Sequence, residues 1–167
     1  MTLSMYQASV PVFDKNLANL AAILTKAAAW AETRKIEPSV LLSARLAPDM
    51  FALTRQVQIT CDFAKGTCAR LAGVESPKYE DNEASFADLQ ARLAKTRQFL
   101  TSIQAAQIDG SEEKQIRFKA GPRELEFKGQ GYLTGFALPN FYFHYTTAYA
   151  ILRHNGLDLS KSDFIGG

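Results

Sequence analysis

The chain has 167 residues, enough to bury one sizeable core, and its 47% hydrophobic and 22% charged residues are typical of a globular protein. Nineteen basic and seventeen acidic residues leave a net charge of +2 without runs of like sign, which argues against nucleic acid or an anionic membrane as a partner. We therefore expect a single domain over residues 1–167, with small-molecule or protein partners.

The first helix is predicted from an apolar seam that alternates steps of four and three residues. The seam consists of Tyr6, Val10, Phe13, Leu17, Leu20, Leu24, Ala27 and Ala31. Pro11 lies off the seam and should kink or delay the helix, because proline removes one backbone hydrogen bond. No basic segment followed by an apolar one opens the chain, and Lys26 interrupts the longest apolar stretch short of a membrane span. These features predict a cytoplasmic protein.

A short helix between residues 35 and 50 leads to the second long helix, which is expected to stop at Gly73. Its seam is Met50, Leu53, Val57, Cys61, Ala64, Cys68 and Leu71. Seven residues separate the two cysteines by about 10.5 Å along a helix, too far for a disulfide. We interpret them as small buried hydrophobic side chains. The third long helix is expected to open with a capping box formed by Ser85 and Asp88.

Residues 114–127 change to a period of two, with apolar side chains alternating with charged ones on either side of a Gly-Pro turn. This pattern predicts a β-hairpin. The glycine-punctuated segment 128–135 lacks the spacing of a nucleotide-binding loop, and we interpret it as a bend. The fourth long helix follows over residues 139–154, with a C-cap at Asn155-Gly156 and a tail that folds back. The elements together predict an all-α four-helix bundle with a small hairpin between helices three and four.

Both histidines of the chain lie on the fourth helix. A helical wheel places His144 on the same face as Phe141, Ala148, Ile151 and Leu152, where a hydrophobic residue is expected. His154 falls on another face in the last turn, where a cation is favoured by the helix dipole, and we interpret it as a capping or surface residue.

A buried imidazole needs hydrogen-bond partners, and the candidates are Asn140, one turn earlier, and Gln56 and Gln58 on the second helix. Asp62 should project farther from the core. His144 is then either a hydrogen-bonded core residue or a ligand or base, and both readings stay open. Burial without a nearby carboxylate predicts a pKa below about 6.5 and a loss of stability as the pH falls.

Three parts of the chain resemble the bacterial family of unknown function DUF1993. They are "PDMFALTRQVQITCDFAKGTCARLAG" in residues 48–73, the hairpin, and "LPNFYFHYTTAYAILRHNGLDLSKSDFIG" in residues 138–166. That family is similar in architecture to the DinB/YfiT-like bundles, many of which bind a divalent metal through three histidines and include metal-dependent thiol S-transferases. The resemblance implies the same fold for this chain.

The superfamily's last-helix signature, H-x-x-x-H-x-G-Q, places Asn140 and His144 at its two histidines, and threonines replace the Gly-Gln pair. The third histidine would fall near Gln56 or Gln58 on a helix without histidine. Amide oxygens are weak ligands for zinc or nickel, so the resemblance implies a degenerate metal site. We expect a cofactor-free small-molecule binding or interaction protein whose pocket is lined by His144, Asn140, Gln56 and Gln58.

Two further hypotheses remain open. One is a divalent-metal-dependent thiol S-transferase, in which His144 and Asn140 would hold zinc or nickel together with a carboxylate or a water. The other is a homodimer, because Tyr142 and Phe143 point away from the seam of the fourth helix and are unusually aromatic for a solvated face. The alternative for these two aromatics is that the hairpin or the tail covers them.

Overall fold

Helices make up most of residues 3–166, the part of the chain that this computed structural model describes. They are α1 Val10–Thr33, α2 Pro38–Leu42, α3 Leu53–Ala72, α4 Phe86–Thr101, α5 Ala105–Ile108, α6 Gly129–Tyr132, α7 Leu138–His154 and α8 Lys161–Ile165, with a π-helical turn Leu133–Ala137 between α6 and α7. An antiparallel hairpin of β1 Gln115–Ala120 and β2 Arg123–Lys128 precedes α6. A mostly helical fold with a small hairpin ahead of the last long helix is thus confirmed, and short helices join the predicted long ones.

The helix boundaries follow local signals in the sequence. Pro11 occupies the first turn of α1, so it delays the start of the helix to Val10 and does not kink it. Gly73 ends α3 in the left-handed conformation, with φ of 74°. Ser85 and Asp88 form the predicted capping box of α4, since the backbone N–H of each donates to the side chain of the other.

The interpretation of residues 128–135 as a bend was wrong, because α6 and the π-helical turn run through this segment into α7. The N–H of Leu138 donates to the carbonyl of Leu133, the five-residue spacing that defines a π turn. Glycine costs about 1 kcal/mol in a helix, but the segment buries Tyr132 and Leu133 completely. This burial offsets the cost of its glycines.

The core lies between the long helices, with α3 packed against both α7 and α4, and α1 packed against α4. Phe13 of α1 and Phe141 of α7 meet edge to face at its centre, with ring centroids 4.9 Å apart. Cys61 and Cys68 are buried free thiols, as predicted. Burial raises the pKa of Cys61 to about 12. No helix within residues 3–166 is long and apolar enough to cross a bilayer.

The tail folds back as expected. The ring of Phe164 in α8 stacks on Tyr145 of α7 with a centroid distance of 4.2 Å, and the Tyr145 hydroxyl donates to the Phe164 carbonyl. The hairpin packs at the other end of α7. There, Phe118 and Phe127 of the hairpin contact Phe136 of the π-helical turn, and the hairpin thereby covers one end of the α3–α7 interface.

Candidate functional site

His144 lies where α7 packs against α3, at the edge of the buried face of α7. Its Nδ1 is 2.7 Å from Oε1 of Gln56, a fully buried residue of α3. The other end of the same amide donates from Nε2 to the backbone carbonyl of Phe51 at 3.1 Å. The hydrogen-bond partner of His144 is therefore Gln56, one of the two glutamines considered from the sequence.

This pair of hydrogen bonds fixes the proton position on neutral His144. Because Nε2 of Gln56 must donate to Phe51, its Oε1 is the atom that faces the imidazole, and a carbonyl oxygen only accepts. Nδ1 of His144 therefore carries the proton, and Nε2 keeps its lone pair. The arrangement presents Nε2 as a hydrogen-bond acceptor or a base.

Aromatic rings hold the imidazole in place. Phe63 of α3 stacks on it with a centroid distance of 6.0 Å and an interplanar angle of 17°, and Phe143 meets it edge-on at 5.2 Å. Burial lowers the pKa of His144 below its ordinary value, and the positive charge of Arg55 lowers it further. Both effects favour the neutral form of the imidazole.

NMR titration of the imidazole carbons should give a pKa below about 6.5 for His144. Because the unfolded chain then binds the proton more readily, His144 makes the fold less stable as the pH falls from about 6.5 through the folded pKa. Gln56→Glu places a carboxylate beside Nδ1 and should raise the pKa above about 6.5. Asn140→Ala is the matched control and should leave the pKa unchanged. A normal pKa in the wild type would contradict the partial burial of the imidazole between α7 and α3.

Asn140 and Gln58 make other contacts. Nδ2 of Asn140 donates to the carbonyl of Phe136 at 2.7 Å, so this amide is directed along α7. Gln58 donates to Glu83 at 2.8 Å and accepts from Arg55 at 3.2 Å, on the side of α3 that faces the chain before α4. The structure thus joins His144 to Gln56 and not to Asn140 or Gln58. His154 is exposed at the end of α7.

A cavity of about 190 Å³ lies next to Phe63, the residue that stacks on His144, between α3 and the hairpin; His144 itself does not line it. Half of its lining residues are aromatic, and they come from α3, the hairpin, α6 and the π-helical turn. The lining residues are Asp62, Phe63, Arg70, Phe118, Lys119, Ala120, Tyr132 and Phe136. Phe136, Asn140 and His144 follow one another at four-residue spacing, so one stripe of helix runs from the cavity to the imidazole.

A buried arginine that the sequence analysis missed lies on the other side of α3. Arg92 of α4 is 1% exposed, and its guanidinium pairs with Glu83 at 2.9 Å, Asp62 at 2.9 Å and Asp81 at 3.0 Å. The ring of Tyr79 lies against the same guanidinium. Asp62 also pairs with Lys65. Asp62 is therefore committed to cations and is not a partner of His144.

The residues around His144 do not fit the three-histidine metal site of the DinB-like bundles. His144 supplies one imidazole nitrogen, and Oε1 of Gln56 is already the acceptor for Nδ1. Within residues 3–166, no group of three histidine, cysteine, aspartate or glutamate side chains is placed to hold a metal ion. A zinc or nickel ion prefers imidazole, thiolate or carboxylate, which this site offers only once.

The aromatic residues considered for a dimer contact differ in exposure. Phe143 is 57% exposed and lies near Leu46 and Met50, which line the same shallow depression. Tyr142 is half-buried, and its hydroxyl accepts from Nδ2 of Asn16 in α1. Neither the hairpin nor the tail covers Phe143. The homodimer remains a prediction, to be checked by light scattering of the wild type and of Phe143→Asp.

Comparisons with known proteins match nearly the whole chain. The family model for a domain of unknown function, DUF1993, matches residues 5–165. The crystal structure of a DinB family member protein from Shewanella denitrificans is similar to this structure with a TM-score of 0.91 and 43% sequence identity, over 97% of this chain and 92% of that one. No curated protein gives a significant match. The similarity thus spans the helices and the hairpin that surround His144 and the cavity.

Proposed function

The chain belongs to the DUF1993 family of DinB-like proteins, whose function is unknown, and we propose that it binds a small molecule without a metal at the position of a degenerate DinB-like metal site. In this proposal the four long helices form a DinB-like four-helix bundle, and the ligand occupies the aromatic cavity and reaches along α7 toward His144. The protein is then a binding or interaction protein and not a metalloenzyme.

The observation that carries the proposal is the fixed tautomer of His144. Gln56 holds the proton on Nδ1 and directs the lone pair of Nε2 away from the amide. The imidazole is one residue away from the cavity, since Phe63 contacts both. A neutral, oriented acceptor near an aromatic cavity fits the composition of small-molecule sites, which combine apolar walls with a few placed polar groups. Gln56 acts here as the group that positions the imidazole.

The competing function is a metal-dependent thiol S-transferase. For this function His144 would supply one imidazole ligand to the metal ion, and the remaining ligands would have to be amide oxygens or water. A neutral His144 is also able to bind a metal through Nε2, so the two functions differ in metal content and not in the tautomer.

Metal analysis of protein purified without a histidine tag separates the two functions. We expect zinc, nickel and iron each to be far below one equivalent per chain, and His144→Ala to leave these levels unchanged. An exposed-histidine variant, His154→Ala, is the matched control. Stoichiometric metal that is lost in His144→Ala and retained in His154→Ala would overturn the proposed function.

A further inference from the structure

The cavity beside Phe63 contains a cation without an acidic partner. The guanidinium of Arg70 lies over the ring of Phe118, 4.4 Å from its centroid, and Nη1 donates to the hydroxyl of Tyr132 at 3.1 Å. Among the ion pairs of residues 3–166, none includes Arg70. The ring of Phe118 and the Tyr132 hydroxyl hold the guanidinium in place, and arginine has more N–H donors than this one hydrogen bond uses.

Gly66 makes room for this guanidinium. It lies one turn before Arg70 within α3, where glycine destabilises a helix by about 1 kcal/mol relative to alanine. A Cβ added at Gly66 would lie 2.7 Å from Nη1 of Arg70, closer than side-chain atoms approach one another. The missing Cβ therefore allows Arg70 to fold back over α3 into the cavity wall.

The other groups that line the cavity suit a small anion that carries an aromatic ring. Phe63, Phe118 and Phe136 supply apolar walls. Lys119 adds a second cation at the rim, and the one carboxylate in the lining, Asp62, is neutralised by Arg92 and Lys65. The volume is below the roughly 300–1,000 Å³ of drug-sized pockets, so it suits one ring with a single charged substituent.

We propose that the cavity binds a small aromatic carboxylate, with the carboxylate on the edge of the Arg70 guanidinium and the ring against Phe63 and Phe136. A carboxylate matches the fork of N–H donors that arginine presents, and its single negative charge balances the guanidinium. This inference rests on the proposed function, because it names the ligand class of the same cavity. In this proposal Arg70 is the residue that makes the cavity prefer a negatively charged ligand.

The proposal is tested by titrating the protein with benzoate in a buffer free of carboxylate and phosphate. Calorimetry measures the affinity, and ¹H–¹⁵N NMR locates the site. We expect saturable one-to-one binding that shifts the backbone amides of Phe118, Lys119 and Phe136. Benzamide lacks the charge and acetate lacks the ring, and each should bind about tenfold or more weakly than benzoate. Equal affinity for benzoate and benzamide would overturn the role of Arg70.

Two variants weaken the site in different ways. Arg70→Met should reduce the affinity for benzoate about tenfold or more, by removing the charged fork. Gly66→Ala keeps every charge but displaces Nη1, so it should weaken benzoate binding while the melting temperature stays the same or rises. The matched control is Arg123→Met, which removes the same charge from the exposed tip of the hairpin. Benzoate binding unaffected by both cavity variants would overturn the proposal.

The outcomes also separate this inference from the proposed function. If benzoate does not bind but benzylamine or benzamide binds one-to-one and shifts Phe136 and His144, the carboxylate assignment is wrong and the small-molecule site stands. Stoichiometric metal on His144 would overturn the proposed function and, with it, the inference. Benzoate binding to metal-free protein, lost in Arg70→Met and retained in Arg123→Met, supports both.

Discussion

Replacing Arg92 by methionine is expected to lower the free energy of unfolding by about 3–5 kcal/mol, because it leaves a buried carboxylate without its main cation. The side chain of Glu83 is only 5% exposed, and its pair with Arg92 lies within 2.9 Å. Without Arg92, Glu83 keeps one side-chain donor, Nε2 of Gln58. Asp62 and Asp81 are more exposed and are solvated more readily. Urea denaturation followed by circular dichroism measures the loss.

The pH dependence of stability checks the same network. Burial alone would raise the pKa of Glu83, but hydrogen bonds from Arg92 and Gln58 outweigh it and hold the pKa below its ordinary value. This contribution is present above the unfolded pKa, about 4.3, and is lost as the pH falls through the folded pKa. The pH dependence of stability should shrink in Arg92→Met, since the variant removes the strongest of the interactions that lower the pKa of Glu83.

Two variants control for a general effect of losing an arginine. Arg97→Met removes a partly exposed pair with Asp14 and should cost at most about 1 kcal/mol. Arg92→Met combined with Glu83→Gln should recover part of the stability, because the buried charge is removed with its partner. A loss in Arg92→Met no larger than that in Arg97→Met would mean that the network contributes nothing specific.

Gly129→Ala is expected to destabilise the protein by about 3 kcal/mol, at the upper end of the usual cost of overpacking. Gly129 begins α6 directly after the hairpin, and a Cβ added there would lie within 1.9 Å of the backbone carbonyl oxygen of Ser111. Next to it, the N–H of Gln130 donates to the carbonyl of Glu112 at 2.9 Å. The Cβ is fixed to the backbone of residue 129 and the oxygen belongs to the backbone of Ser111, so no side-chain rotation can relieve this contact.

Urea denaturation gives the size of this effect, and hydrogen exchange gives its location. The amides of β1 and β2 should exchange faster in Gly129→Ala, because the base of the hairpin is forced away from residues 111–112. Gly131→Ala is the control in the same helix, since a Cβ there meets no atom within 4 Å. It should be neutral or stabilising by up to about 1 kcal/mol. Equal stability of the two variants would show that the Ser111 contact relaxes freely.

Local patterns in the sequence predicted the long helices and the hairpin, because those patterns act within a few residues. The capping box of Ser85 and Asp88 and the αL end at Gly73 are examples. The same approach misjudged residues 128–135, where glycines suggested a bend. There, burial of Tyr132 and Leu133 against distant segments decides the conformation, and such tertiary burial has no local signal.

The site was predicted less completely than the fold. The face of α7 and the composition of α3 identified His144 and Gln56, but spacing alone did not separate Gln56 from Gln58, which contact different elements. Two of the three acidic partners of Arg92, Asp81 and Glu83, come from the polar segment between α3 and α4, which has no helix or strand pattern in the sequence. One signal was available: a glycine at position 66, within a strongly predicted helix, indicates that another group approaches the backbone closely there, and in the structure that group is Arg70.

The π-helical turn at Leu133–Ala137 sets how far α6 and the hairpin attached to it are rotated about the helix axis relative to α7. A π turn accommodates one more residue than an α-helical turn, and one residue corresponds to about 100° of rotation about a helix axis. Deleting a residue here would leave an uninterrupted α-helix but would rotate Tyr132, and the hairpin attached to α6, away from Arg70. Deleting a residue of this turn other than Phe136 would therefore redirect the hairpin while every residue that lines the cavity stays in the chain.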